Sequence, residues 1–165
     1  MREVDLRPAR EGDYAAILAF WMPMVRDTAV TFSLQEKDIA GFTDYVDARR
    51  QRGREVIVAD HAGKIFSFAT YDQFRPGDGY ACTMEHTVIL APQAHGQGLG
   101  RRLLRAVEAH AHRGGAHVMI ACVRGENGAA LAFHSAMGYR EVGRLPDAGQ
   151  KFDRWLDLVL LQKIL

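Results

Sequence analysis

The chain predicts an α/β domain built on one mixed sheet, and three observations carry that prediction. Three apolar, strand-like stretches, Arg54 to Asp60, Ile65 to Tyr71 and Tyr80 to Leu90, follow one another through turn chemistry. Helical periodicity flanks them on both sides. A glycine-rich joint at Ala91 to Gly100 links the third stretch to an amphipathic helix, as in strand-to-helix crossovers.

Each element follows in order. Val4-Asp5-Leu6-Arg7 alternates and stops at Pro8, which predicts a short edge strand. Gly12-Asp13 opens a helix carrying Ile17, Leu18, Trp21 and Val25 at the helical period. Ser33-Leu34-Gln35-Glu36 has capping-box spacing, and a second helix is expected from about Asp38 to Arg52, with Ile39, Phe42, Tyr45 and Val46, before Gly53 stops it. Ala62-Gly63-Lys64 turns the first two long strands into a hairpin, and Arg75-Pro76-Gly77-Asp78-Gly79 precedes the third. Leu99 to Arg113 places Leu99, Leu103, Ala106, Val107 and His110 on one helical face, with arginines and Glu108 opposite. Val118 to Val123 is a short strand, Asn127 to Met137 a helix ended by Gly138, and Tyr139 to Leu145 and Phe152 to Gln162 are the last strands. The predicted order is β-α-α-β-β-β-α-β-α-β-β, with no repeat or linker.

Size and charge narrow the function. At 165 residues the chain is expected to form a single domain over 1–165, long enough to bury about 68–70% of its unfolded surface. Twenty-one basic against twenty acidic residues leave a formal charge of +1, so no global field gathers nucleic acid or anionic lipid. The charged start MREVDLRPAR lacks a secretory apolar core, and the apolar run Ala15 to Val25 falls short of the ~20 residues that span a bilayer, which predicts a cytoplasmic protein with no membrane partner. Cys82 and Cys122 have no C-x-x-C partner and read as inert buried thiols. His110 and His112, two apart on a helix, do not converge, and no metal site is expected.

Two segments concentrate chemistry. The run Leu90-Ala91-Pro92-Gln93-Ala94-His95-Gly96-Gln97-Gly98-Leu99-Gly100-Arg101-Arg102 joins strand to helix through glycines. Backbone N–H groups at such a joint, together with the helix dipole, suit a pyrophosphate. Two arginines in the first helical turn oppose that dipole unless a polyanion binds, although an ordinary glycine turn with solvated arginines has the same spacing. The dinucleotide fingerprint and Walker A are both absent. The second segment is Glu85 in Cys82-Thr83-Met84-Glu85-His86-Thr87-Val88-Ile89-Leu90, a carboxylate on a strand read as central. Alternation sets Glu85 with Thr83, Thr87 and Ile89, and His86 with Met84 and Val88. Glu85 could serve chemistry, face solvent at an edge, or pair with an arginine.

The glycine joint resembles the acetyl-CoA signature of the GNAT superfamily of N-acetyltransferases: Gln or Arg, two residues, Gly, one residue, then Gly or Ala. Here His95-Gly96-Gln97-Gly98-Leu99-Gly100 fits, with His95 at the Gln/Arg position. More narrowly the chain is similar to phosphinothricin and methionine sulfoximine N-acetyltransferases. The matching pieces are Thr28-Ala29-Val30-Thr31-Phe32, Phe74-Arg75-Pro76 with Tyr80, Glu85-His86-Thr87-Val88, Asn127 with His134 and Gly138-Tyr139, and Gly149-Gln150-Lys151-Phe152-Asp153-Arg154-Trp155. Phe20-Trp21-Met22-Pro23-Met24 departs from that pattern, where such enzymes more often carry a Tyr-Asn pair.

The resemblance implies acetyl-CoA as co-substrate, no metal, a small-molecule amine as acceptor and a homodimer. It implies that Val88, Ile89 and Leu90, the loop His95, Gly96, Gln97, Gly98, Leu99, Gly100 and Arg101, and Asn127 hold acetyl-CoA. Asn127 also suits a helix N-cap. Thr31, Phe32, Phe74, Arg75, Tyr80, Glu85, His86 and Thr87 are expected around the acceptor, with Arg75 as clamp for its acid group. Glu85 is the expected base and His134 the expected donor to the departing thiolate, although a lone helical histidine is also an ordinary packing residue. A polyamine, an aminoglycoside or a peptide N-terminus are other acceptors, and a non-catalytic acetyl-CoA sensor is the rival from outside enzymology.

Overall fold

A computed structural model describes residues 4–165; the expected charged opening Met1-Arg2-Glu3 lies outside the described residues. Seven strands form one sheet: β1 (Asp5–Pro8), β2 (Val56–His61), β3 (Lys64–Gln73), β4 (Thr83–Leu90), β5 (Val118–Arg124), β6 (Arg140–Lys151) and β7 (Arg154–Ile164). Their spatial order is β1-β2-β3-β4-β5-β7-β6. Helices α1 (Tyr14–Asp27) and α2 (Ile39–Arg50) connect β1 to β2, α3 (Leu99–Arg113) connects β4 to β5, and α4 (Gly128–Ala136) connects β5 to β6. The α/β class, the mixed sheet and the element order agree with the sequence reading.

Helices cover both faces of the sheet. Val56, Val58, Phe68 and Ile89 pack with Tyr14, Ile17, Trp21, Val25, Phe42 and Val46 of α1 and α2. The alternate residues Ile57, Ala59, Ala69 and Tyr71 pack with Leu99, Leu103, Leu104 and Val107 of α3. This explains why Val56 to Ala59 is an unbroken apolar run, since both faces of β2 are buried. Phe42 meets Tyr14 edge-on at 4.9 Å and Trp21 at 6.1 Å, and each fully buried large side chain contributes about 1.5–3 kcal/mol.

Every strand pair is antiparallel except β4 with β5, which is parallel and therefore needs the α3 crossover. That pairing runs from Thr83↔Val118 to Glu85↔Ile120 and no further. Beyond Glu85 the two strands part, and the opening between them is the structural origin of the site.

Several boundaries differ from the sequence reading. Tyr80 lies in a short 3-10 turn, Asp78–Tyr80, and β4 starts only at Thr83, which leaves Cys82 exposed before the strand rather than buried. The cap of α2 is Asp38, whose side chain accepts from Gly41 N–H at 2.8 Å, and not Ser33. Glu108 is buried, accepting from Tyr139 Oη at 2.8 Å and Lys163 Nζ at 2.7 Å. β6 continues past Leu145 because a register shift between Leu145 and Gly149, with Asp147 at φ 51°, absorbs Pro146 and restores pairing. Phe152 and Asp153, both at positive φ, form the tip of the β6–β7 hairpin instead of starting the last strand. Among the described residues no helix is long and apolar enough to cross a membrane, and no cluster of ligating side chains could hold a metal ion.

Candidate active site

A cavity of about 1180 Å³ occupies the opening between β4 and β5 and passes from one face of the sheet to the other. Its floor is β4 from Glu85 to Leu90. The N-H of Ala91 donates to Phe66 O at 2.8 Å and that of Phe74 to Thr83 O at 3.0 Å, so the main chain of odd-numbered residues from Thr83 to Ala91 is turned toward β3. The N–H groups of Val88 and Leu90 consequently face the opening, where β5 no longer pairs. Ile89, expected with them to hold acetyl-CoA, turns its N–H to β3 and packs its side chain with the α1 cluster, although it still lines part of the cavity.

The α3 end of the cavity is a cradle of main-chain donors. Gly96 and Gly98 both adopt positive φ, 74° and 73°, which lets the loop turn tightly onto the first turn of α3. No side chain caps this helix, so the N–H groups of Leu99, Gly100 and Arg101 remain available. His95, Gly96, Gly98, Leu99, Gly100 and Arg101 all line the cavity. His95 Nε2 turns back to Leu90 O at 3.3 Å. Gln97 does not line the cavity, because its amide donates to Gln93 O at 2.7 Å. Arg102 also leaves the site to bind Val4 O at 2.7 Å, so one arginine of the expected pair serves the ligand face.

Asn127 is the N-cap of α4, its Oδ1 accepting from Ala130 N at 3.1 Å, and it lines the cavity as well. The N-cap reading is thus met, and the side chain sits where the cavity passes.

The opposite face presents Glu85, Thr87 and Cys122 under a wall made by Trp21, Met24, Thr31, Phe32 and Phe74. Burial raises the carboxyl of Glu85 above its ordinary pKa, and the Cys122 thiol beside it opposes that shift. The thiol is itself pushed up by burial and by the neighbouring carboxyl, so it stays protonated. Cys122 thus lines the cavity, half-buried, instead of sitting in the core, while its protonated thiol is as unreactive as expected. Arg124, two residues on, lines the same cavity; its Nη1 lies 3.8 Å from Glu126 Oε2, while its Nε is buried with no hydrogen-bond partner among the described residues.

His86 and His134 occupy the α4 side, with ring centroids 5.0 Å apart and planes 23° from parallel. Tyr139 meets both edge-on. His134 Nδ1 lies 2.7 Å from Ala130 O, and a carbonyl can only accept, so the ring carries its proton on Nδ1. Nε2 then holds a lone pair, is buried and has no partner among the described residues. Burial keeps His134 below its ordinary pKa and drives His86 down to about 3, so both rings are neutral at pH 7.

Of the expected acceptor residues, His86 faces α4 from the side of the sheet opposite Glu85 and Thr87, and two others lie outside the cavity. Arg75 and Tyr80 are outside the cavity lining; the Arg75 guanidinium sits 5.7 Å from the Tyr80 ring and borders a separate recess of about 410 Å³ with Arg52, Asp72 and Asp78. The loop is held there because Gln73 Nε2 donates to Arg75 O and Gly77 O. Trp21, Met24, Cys122 and Arg124 were not singled out by the sequence. Trp21 carried a signal only as part of the departure at Phe20 to Met24, and the others become visible once the register of β4, β5 and α1 is known.

Residues 18–139 match the model of the acetyltransferase (GNAT) family. The chain is 36% identical over 159 residues to the L-methionine sulfoximine/L-methionine sulfone acetyltransferase of Pseudomonas paraeruginosa, covering 96% of this chain and 92% of that one. It is 35% identical over 160 residues to the phosphinothricin N-acetyltransferase of Alcaligenes faecalis, covering 96% and 81%. A Salmonella typhimurium acetyltransferase solved with its cofactor acetyl-CoA superposes with a TM-score of 0.94 at 33% identity, over 99% of this chain and 94% of that one. The cradle of free N–H groups, the carboxyl beside the strand opening and these likenesses agree: the chain belongs to the GNAT family and is an acetyl-CoA-dependent acyltransferase.

Proposed function

We propose that this enzyme acetylates the primary amine of a small amino-acid analogue of the methionine sulfoximine or phosphinothricin kind. The observation that carries the reading is Glu85, a carboxyl raised by burial, set at the point where β4 and β5 part and opposite the cradle of α3. An amine is mostly ammonium at neutral pH and must lose a proton before it can attack, and a carboxylate of raised pKa suits that task directly or through water. Gly96, Gly98, Leu99, Gly100 and Arg101 would hold the pyrophosphate end of acetyl-CoA, and Asn127 its pantetheine arm. Remote binding would fix the thioester, while the Val88 and Leu90 N–H groups would meet the oxyanion as it forms.

The neutral tautomer of His134 changes its assigned role. With no proton on Nε2, it cannot begin as the donor to sulfur. It would instead take the second proton of the attacking nitrogen from the tetrahedral intermediate, then pass that proton to the thiolate as the C–S bond breaks. No acyl-enzyme forms in this sequence.

Arg124 would recognise the acid group of the acceptor. It shares the sheet face of Glu85 and Cys122, four positions beyond Ile120, the register partner of Glu85, or about 13 Å along the strand. An arginine side chain and an extended acceptor can divide that span. A homodimer is part of the same reading, supported by the outward-facing Val142, Phe152 and Trp155 on the β6–β7 hairpin.

The test is incubation of acetyl-CoA with methionine sulfoximine, methionine sulfone and phosphinothricin, with the products identified by mass spectrometry. N-acetylated analogues, formed in step with released CoA, are the expected outcome. Acetyl-CoA binding without product from any of them would discard the acceptor assignment.

A further inference from the structure

Lys151 ends β6 at the hairpin tip, and it is the one buried residue of that strand, 4% exposed in an otherwise exposed edge. Its ammonium donates to three carbonyls: Val25 at 2.5 Å, Ser33 at 2.9 Å and Thr31 at 3.0 Å. Three donors thus meet three acceptors, which satisfies the group completely. Val25 belongs to the last turn of α1, whose carbonyls lack intrahelical partners and form the negative end of the helix dipole. Thr31 and Ser33 belong to the segment between α1 and α2, which has no regular secondary structure and supplies Val30, Thr31, Phe32 and Ser33 to the cavity wall.

A second contact joins the same two parts of the molecule. A Cβ built on Gly149 would lie 2.5 Å from Phe32 Cδ2 and 2.6 Å from Cε2, so the Phe32 ring rests on bare β6 backbone. Otherwise the segment is tied mainly by short-range bonds, such as Val30 N–H to Thr28 Oγ1 and Ser33 N–H to Thr31 Oγ1, both 3.2 Å. Local bonds of this kind shape a turn but do not fix where it sits. The edge hairpin does, at two points, more than a hundred residues away in sequence.

We propose that Lys151 is a positioning residue for acceptor binding: its ammonium, with Gly149 beneath Phe32, holds segment 28–36 as the wall opposite Glu85. This rests on the acceptor lying on that face, as argued above. Lys151 touches neither the cradle of α3 nor Asn127, so its loss acts on the acceptor and leaves acetyl-CoA binding alone.

Lys151→Met keeps the stem and removes the donors, Lys151→Arg keeps a cation, and Gly149→Ala keeps all three Lys151 bonds while displacing Phe32. In Lys151→Met, amide hydrogen exchange across 28–36 should accelerate while β2 and β3 are unchanged. The acceptor KM should rise about tenfold with the acetyl-CoA KM within about twofold, a split that a general loss of folding does not produce. Lys151→Arg should recover part of both effects. Gly149→Ala should raise the acceptor KM as well, and it carries the test if Lys151→Met does not fold. Unchanged exchange across 28–36 overturns the clamp, and faster exchange with an unaltered acceptor KM overturns the positioning role. Faster exchange in an enzyme whose wild type acetylates no amino-acid analogue upholds the clamp and overturns the acceptor assignment, so the two failures are distinct.

Discussion

His86 and His134 stack at 5.0 Å between ring centroids, two neutral imidazoles held away from water with neither Nε2 atom bonded to any described residue. The pair sets an acid limit on the fold. His86 titrates at about 3 in the folded chain, against about 6.5 when unfolded. The unfolded chain therefore binds more protons across that window, and His134, also lowered by burial, acts in the same direction. The contribution of His86 is at its full value above pH ~6.5 and falls toward pH ~3 with a slope approaching 1.4 kcal/mol per pH unit. Urea midpoints at several pH values check this, and His86→Phe should flatten the slope.

Glu85→Gln should lower kcat by about 10²–10⁴ at neutral pH and leave the acetyl-CoA KM nearly unchanged. The wild-type rate should climb with pH through the raised Glu85 pKa, because the base must first lose its own proton. That limb should be missing from the variant. A pH–rate profile that is the same in both would remove Glu85 from proton transfer.

Arg124 and Arg75 make opposite predictions. Arg124→Ala should raise the acceptor KM about tenfold or more, the scale of a hydrogen bond to a charged group. Arg75→Ala should leave that KM unaltered, since Arg75 borders the neighbouring recess. Steady-state kinetics with one amino-acid analogue separates the two.

The αL conformation of Gly98 makes a test of the cradle. An alanine Cβ there meets nothing within 4 Å, so any effect comes from the backbone, where φ of 73° costs a non-glycine residue about 1–2 kcal/mol. Gly98→Ala should raise the acetyl-CoA KM several-fold more than the acceptor KM, measured at saturating concentrations of the other substrate.

Much of this was legible in the sequence because it is local. Helical period, turn glycines and the joint at His95 to Arg101 depend on neighbours in the chain, and α3 runs over the residues its periodicity predicts. Side-chain destinations were less legible. Glu108 reads as a solvent-facing charge on α3, yet Tyr139 and Lys163 reach it from β6's approach and β7. Arg102 reads as half of an anion pair until Val4 claims it. Lys151 looks like a turn lysine, and only the path of the β6–β7 hairpin brings it under Thr31 and Ser33. Cys122 and Arg124 join Glu85 through strand register, a property of pairing that one strand's sequence does not contain.

The central claim is the identity of the acceptor, and the most direct measurement is kcat/KM for CoA-thiol release with methionine sulfoximine, phosphinothricin, a polyamine and a peptide N-terminus compared side by side. Saturable turnover is expected with the acidic amino-acid analogues, at least about tenfold above the polyamine, the scale of one hydrogen bond between a charged group and half-buried Arg124. Turnover confined to the polyamine or the peptide would contradict it.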